Sequence, residues 1–330
     1  MPIAVITGAS GLLGGNLAAE LRARRVQVRA IRRRTSKVDH LADLDIEWVF
    51  GDLDDPPSLE HAFKGADVVF HTAAAVGVSP TVTSALRKAN VDGTAAVLRA
   101  FEKTGARRLV HVSSVVAVGL STDGQPVDER APWNFGDYKL DDGYCTTKHQ
   151  AEQLVDAAVR GGIDAVIVNP GFLIGPRDAR PSSGRVIVDL VKGRIPIYPG
   201  GKNCFVDVRD VARGAIAAWE RGQRGRRYIL GGDNLAYRDL FERIARAAGV
   251  KPPRLPAPRA AAIAAGLAGD LYQRLTGKEP VFGSVEARYA YTDRFQFSSA
   301  RAEAELGYRK SPIDGAIRDA LDWFRRRGMI

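Results

Sequence analysis

Cysteine is almost absent. Cys145 and Cys204 are the only two among 330 residues, too few for a disulfide framework and without metal-ligand spacing, so a reducing, cytoplasmic setting is expected. Long apolar runs are missing as well: AAAIAAGLAG, 260–269, falls far short of the ~20 residues a membrane crossing needs. The opening MPIAVITGAS has no basic start followed by an apolar run, so neither a signal peptide nor stable membrane insertion is expected. The net charge is +10, but the arginines are scattered through helical segments and no basic stretch carries interleaved aromatics. Nucleic acid is therefore not an expected partner. What is present, 45% hydrophobic and 26% charged residues, suits a globular chain with a sizeable core.

The first half alternates strand and helix signals. Apolar runs at 3–7, 26–31, 46–50, 67–73, 108–114 and 164–170 are separated by helical patterns at 12–24, 57–64, 84–104 and 144–160. Leu13, Leu17 and Leu21, spaced by four, give the first helix one apolar face. Strands alternating with helices predict an α/β fold of Rossmann type, a doubly wound parallel sheet. After Pro170 the chain becomes rich in Gly and Pro (PGFLIGPRDARPSSG), and shorter elements follow: helices near 185–193, 210–221, 260–275 and 314–328, and strands at 204–208 and 227–232. We expect a dinucleotide domain over 1–170 and a smaller mixed α/β substrate-binding part over 171–330, some of whose segments return to the main sheet.

Between the first strand and the first helix lies TGASGLLG, with Gly8, Gly11 and Gly14 around Ser10, Leu12 and Leu13. Glycine tolerates the turn and lets a pyrophosphate approach, and the helix N-terminus offers unpaired N–H groups to it. The end of the second strand, RAIRRRTSK, lacks the acid that would hold a free ribose 2′-hydroxyl and has arginines instead. Arg33, then Arg32, are the candidates for a 2′-phosphate, so NADP(H) is the expected cofactor. Asp52 in GDLDD fits the adenine amino group, with Leu53 packing beside it, or alternatively an N-cap for the helix near Pro56. Ala73, Ala74 and Ala75 are small residues at the end of the fourth strand, where the cofactor must pass close to the backbone.

YCTTK places Tyr144 and Lys148 four apart on a helix, on one face. A lysine ammonium beside a phenol lowers its pKa from ~10, making Tyr144 a candidate proton donor or acceptor for a carbonyl/alcohol pair. Lys148 is also a candidate for the cofactor ribose. Ser114, at the carboxyl end of the fifth strand, is placed to orient the substrate oxygen.

TGASGLLG, GDLDD, HTAAA, NVDGT, VSS at 112–114, YCTTK, NPGFLIGP and the closing FSSARAEAELGY together resemble the extended short-chain dehydrogenase/reductase family, over nearly the whole chain. Within it the chain is most similar to the dihydroflavonol-4-reductase-like group and to the hopanoid-associated sugar epimerases. The resemblance implies a Ser114–Tyr144–Lys148 triad, backbone contacts from Pro170 to Phe172 to the nicotinamide carboxamide (Phe172 being alternatively a core aromatic), and a homodimer through helices 84–104 and 144–160. Asn90 is expected to tie the central helix to the active-site strands, and Asp210 to cap the helix that it opens.

The leading expectation is an NADP(H)-dependent carbonyl reductase or alcohol dehydrogenase acting on a small molecule. The alternatives are a nucleotide-sugar epimerase or dehydratase with retained cofactor, and a non-catalytic NADP-binding regulator. For a diphosphate substrate Arg177, Arg180, Arg185, Lys192 and Arg194 are available; for a flatter one, Val76, Val78, Trp133, Phe135, Ile187, Ile197 and Tyr198. The 258–276 segment is a lid or packing helix, or alternatively a contact to a membrane surface.

Overall fold

The computed structural model describes residues 1–77, 79–276 and 283–330; the Val78 expectation lies outside them. Among the described residues there are twelve strands: β1 (Ile3–Thr7), β2 (Gln27–Arg32), β3 (Glu47–Phe50), β4 (Val68–His71), β5 (Arg108–Val112), β6 (Ala165–Pro170), β7 (Phe172–Ile174), β8 (Ile197–Tyr198), β9 (Lys202–Asp207), β10 (Arg227–Leu230), β11 (Asp233–Ala236) and β12 (Leu255–Pro256). The helices are α1 (Leu12–Ala23), α2 (Pro56–Phe63), α3 (Ser84–Leu86), α4 (Gly93–Thr104), α5 (Gly143–Arg160), α6 (Arg185–Val191), α7 (Val208–Arg221), α8 (Tyr237–Ala248), α9 (Arg259–Thr276), α10 (Ser284–Tyr291), α11 (Ala300–Leu306) and α12 (Ile313–Arg326).

Seven strands form one sheet in the order β10-β6-β5-β4-β1-β2-β3, all parallel. This is the doubly wound Rossmann arrangement expected from the alternating pattern, and the order reverses between β1 and β4, where such sheets open a crevice for ligands. Strands buried on both faces read as continuous apolar runs because helices cover each side. Leu13, Leu17 and Leu21 of α1 pack with Val211, Ala215 and Ala218 of α7 on one face. Phe63, Val97, Phe101 and Val155 from α2, α4 and α5 cover the other.

A smaller mixed sheet, β11-β9-β7, lies beyond β6. It packs on α6, α8 and α12 around Phe205, Leu240, Ile244, Ile317 and Phe324. Helix α8 is not among the elements expected from the sequence, although Leu240, Phe241, Ile244 and Ala245 give it a buried stripe. No helix among the described residues is long and apolar enough to cross a membrane.

Two expectations need correction. Asp210 does not cap α7: the cap is Asp207, whose carboxylate accepts from the Arg209 N–H at 2.8 Å. Asp210 sits inside the first turn, almost fully buried, pairs with Arg213, and accepts from the Ser311 N–H and hydroxyl. Likewise the 84–104 segment is not one α-helix. A π-helical turn over Arg87–Asp92 joins α3 to α4 and turns Asn90 inward.

Removing the Asp210 carboxylate with Asp210→Asn weakens the tie from α7 to the turn before α12. We expect a loss of about 2 kcal/mol, read as a lower thermal midpoint with unchanged far-ultraviolet circular dichroism.

Candidate active site

Gly8 ends β1 with φ +78°, and a Cβ there would meet the Ala73 backbone at 2.7 Å. A Cβ on Gly14 would meet the Gly8 carbonyl oxygen at 2.3 Å. Both positions need glycine for the turn to close against β4 and against the first turn of α1. The Leu12 and Leu13 side chains go into the core, so only their backbone N–H groups at the helix start face the turn. Gly11, at the N-cap, supplies no side-chain cap.

The turn floors a cavity of about 540 Å³ lined by Gly8, Ser10, Gly11, Arg32, Arg33, Asp52, Leu53 and the Ala73–Ala75 backbone. Thus ten of the residues expected to touch a dinucleotide share one cleft. Also lining it, and overlooked in the sequence, are Ser36, Asp54 and Lys88. The ammonium of Lys88 pairs with Asp54 at 2.6 Å on its rim.

The three arginines differ. Arg32 lies over the Trp48 and Phe50 rings, 5.5 and 4.8 Å from their centroids, and Arg34 over Phe50 at 5.0 Å. Cation–π contact holds both guanidiniums against rings of β3, though Arg32 still borders the cavity. Arg33 has no protein partner for its guanidinium among the described residues, while its backbone N–H donates to the Ser36 hydroxyl at 3.2 Å. Asp52 does not cap α2, whose cap position is Asp55 without a side-chain bond; its carboxylate borders the cavity.

The expected triad comes together at the carboxyl end of β5. Asp142 caps α5 by accepting from the Cys145 N–H at 2.6 Å, so Tyr144 lies in the first turn and Lys148 one turn later. The Ser114 hydroxyl is close enough to the Tyr144 phenol to pull its pKa down. Lys148 is buried, and its Nζ donates to the Val112 carbonyl at 2.8 Å. The expected fall in the Tyr144 pKa is not found. Burial pushes the phenol up to about 12 against the pull of the Ser114 hydroxyl, because Lys148 is committed to a β5 carbonyl instead. Burial also brings Lys148 down to about 8, partly offset by Glu152.

Further side chains position these three. Asn169 donates to the Ser114 carbonyl at 3.0 Å and to the Glu152 carboxylate at 2.9 Å, and Glu152 pairs with Arg227 of β10 at 3.2 Å. Asn90 accepts from the Ala75 N–H at 2.8 Å and donates to the Thr147 hydroxyl at 3.0 Å, tying the cavity wall to α5. Such a π-turn often marks a functional position. Asn169 stood in view in NPGFLIGP; Glu152 had no signal, since its partner is 75 residues away.

Pro170 and Phe172 do not line the cavity, and Phe172 packs edge-on to Phe205 at 5.4 Å. Three of the five offered substrate cations are occupied: Arg177 binds Asp43 at 2.5 Å, and Arg185 and Arg194 share Asp189, whereas Arg180 and Lys192 form no ion pair among the described residues. Of the offered apolar residues, Phe135 and Ile187 are fully buried core. Trp133 stacks on His149 at 4.4 Å and donates to the Val116 carbonyl, bracing the turn after Ser114.

Comparison with known proteins follows this geometry. A family profile described as the NAD dependent epimerase/dehydratase family matches residues 4–231. A Synechocystis sp. protein named after dihydroflavonol 4-reductase is 33% identical over 330 residues, covering 98% of this chain and 95% of its own length. Sterol demethylase protein B of Methylococcus capsulatus is 34% identical over 329 residues, 99% of both chains. The crystal structure of PA4631, a nucleoside-diphosphate-sugar epimerase from Pseudomonas aeruginosa, is similar with a TM-score of 0.83 at 28% identity, covering 100% of this chain and 99% of that one.

The Lys148 pKa, lowered from 10.5 to about 8, has a consequence for stability. Below pH 8 the folded state carries the full cost of a buried ammonium. Between about 8 and the free-lysine value the unfolded chain holds more protons, and stability rises with pH. Lys148→Met is therefore expected to melt higher than the parent at pH 7, with the difference closing toward pH ~10.4. A gap that stays constant with pH would reject the lowered pKa.

Proposed function

Because the chain belongs to the NAD dependent epimerase/dehydratase family, and so is an enzyme acting with a nicotinamide dinucleotide, we propose that it is an NADP(H)-dependent carbonyl reductase. The observation that carries this reading is the Ser114 hydroxyl acting on the Tyr144 phenol at the end of β5, with buried Lys148 one turn further along the same helix. A phenol held near 12 is protonated at neutral pH, which makes it a proton donor. That is the state reduction of a carbonyl needs.

The cavity suits the cofactor in its own right, since Gly8 and Gly14 leave no room for a Cβ and the Ala73–Ala75 backbone forms the wall opposite. Ser10, Gly11 and the N–H groups of Leu12 and Leu13 would hold the pyrophosphate, and Asp52 the adenine. The unpaired Arg33 guanidinium and the Ser36 hydroxyl, with no carboxylate in place of them, support a 2′-phosphate and hence NADP(H). When bound, the dinucleotide supplies the hydride that reaches the substrate carbonyl carbon. Tyr144 gives its phenolic proton to the carbonyl oxygen as charge develops there. Ser114 hydrogen-bonds to that oxygen and fixes its distance from the phenol, and Lys148, anchored on the Val112 carbonyl, is available to the cofactor ribose.

The relative named for dihydroflavonol reduction and the one named for sterol demethylation support a polycyclic, largely apolar carbonyl compound as substrate. The similarity to a nucleoside-diphosphate-sugar epimerase favours a sugar nucleotide, but Arg177, Arg185 and Arg194 are taken by Asp43 and Asp189. A diphosphate would have to displace those carboxylates or rely on Arg180 and Lys192, which form no ion pair among the described residues.

NADPH oxidation followed against a panel of flavanonols, sterol ketones, aldehydes and keto-sugar nucleotides tests the reading. Turnover with an apolar ketone is expected; cofactor retained through purification with sugar epimers interconverted and no net oxidation would overturn it. Tyr144→Phe is expected to lower kcat by ~10²-fold or more with cofactor affinity nearly unchanged. Arg33→Glu is expected to raise the Kd for NADPH by about tenfold or more and to spare NADH, since it removes one phosphate partner and adds a like charge. Equal losses for both cofactors would remove Arg33 from that role.

A further inference from the structure

Helix α9 has two faces of opposite character. On one, Gly266 approaches the Gly283 backbone so closely that a Cβ would meet its carbonyl oxygen at 2.7 Å. One turn on, Asp270, the sole acid of the helix, accepts from the Ser284 N–H at 3.1 Å. This face packs on α10. On the other, Leu267, Leu271 and Leu275 recur every four residues and are 58%, 56% and 78% exposed, with Tyr272 at 47%. Leucines at that spacing make one stripe along the helix, whereas isolated surface leucines need no explanation. The segment leading into α9 adds Leu255, 67% exposed, on the short strand β12.

The surroundings of the stripe are basic. Lys251, Arg254 and Arg259 are exposed, and none of the three forms an ion pair among the described residues. Elsewhere on the surface arginines are commonly paired: on α8, Arg238 binds Glu242 and Arg243 binds Asp314. The stripe thus combines protruding leucines with unneutralised cations and a single, inward-facing acid. A second copy of this chain, itself at +10, would bring a net positive charge to a positive rim. An anionic lipid surface meets both the leucines and the cations.

We infer that α9 and the 251–259 segment before it form a docking face for an anionic membrane surface, lying on the bilayer rather than crossing it. The face connects to the candidate active site. Tyr289 of α10, the partner helix of α9, donates to the Leu140 carbonyl at 2.9 Å and lies 3.4 Å from the Cys145 sulfur, next to Tyr144. The Tyr291 hydroxyl donates to the Ala257 carbonyl at 2.7 Å. Docked in this way, the chain holds the start of α5 one helix layer from the lipid. The inference rests on surface chemistry and does not require the reductase reading.

The test is flotation of the full chain with vesicles of equal parts phosphatidylglycerol and phosphatidylcholine, against vesicles of phosphatidylcholine alone. Binding to the anionic vesicles is expected, weakened at about 0.5 M salt. Leu267→Gln/Leu271→Gln/Leu275→Gln and Lys251→Glu/Arg254→Glu/Arg259→Glu are each expected to lower that binding by about tenfold or more. All six sites are at the surface, and an unchanged thermal midpoint shows that each variant is folded. No preference for anionic vesicles, or an apolar variant that floats like the parent, overturns the proposal. So does sedimentation showing a dimer that the apolar variant alone dissolves, which would assign the stripe to a second copy.

Discussion

Lys148 brings an ammonium into the protein at a point where only a strand-end carbonyl and a more distant carboxylate can answer it. Placing a charge there is costly unless hydrogen bonds meet it, and the architecture around the cleft supplies them in sequence. Val112 offers its carbonyl where β5 stops. Glu152, one turn further along α5, is itself buried and relies on Asn169 and Arg227. A chain of mutually dependent polar contacts therefore runs from the end of β5 through α5 to β6 and β10, and each member is tolerable only because the next is present.

That chain explains why the sheet extends to β10. Arg227 reaches Glu152 only from a strand parallel to β6, and the same strand lets Ile229 donate to Glu129 in the loop beyond β5. The return of the chain to the sheet after the small mixed sheet thus serves the active helix as well as the apolar core. On the other side, Asn90 performs the matching task for the Ala73–Ala75 wall of the cavity, which it holds through both the N–H and the carbonyl of Ala75. The π-turn around Asn90 gives it the inward direction that an α-helical path would not.

The relation between phenol and ammonium is less direct than the four-residue spacing suggests. Sharing a helix face brings two side chains to one side of a helix, but what each then touches depends on neighbouring elements. Here β5 captures the lysine and Ser114 the tyrosine. Burial raises the phenol to about 12 and lowers the ammonium to about 8, so each is set by its own surroundings and not by the other.

From the sequence by itself came the order of strands and helices through Pro170, the glycine turn, the missing acid after β2, and the candidacy of Ser114, Tyr144 and Lys148. Each is fixed by local periodicity, by backbone sterics or by a motif only a few residues long, so neighbours along the chain suffice. Tertiary structure alone decided which arginine is free, because the rings that occupy Arg32 lie on β3, and which carbons of the pocket list are core, because Phe135 and Ile187 are buried by segments far away in sequence. It also decided that Asp207 rather than Asp210 caps α7, since Ser311 claims the second carboxylate. Burial and pairing are properties of the assembled fold, and the pKa values of Tyr144 and Lys148 follow from them rather than from spacing.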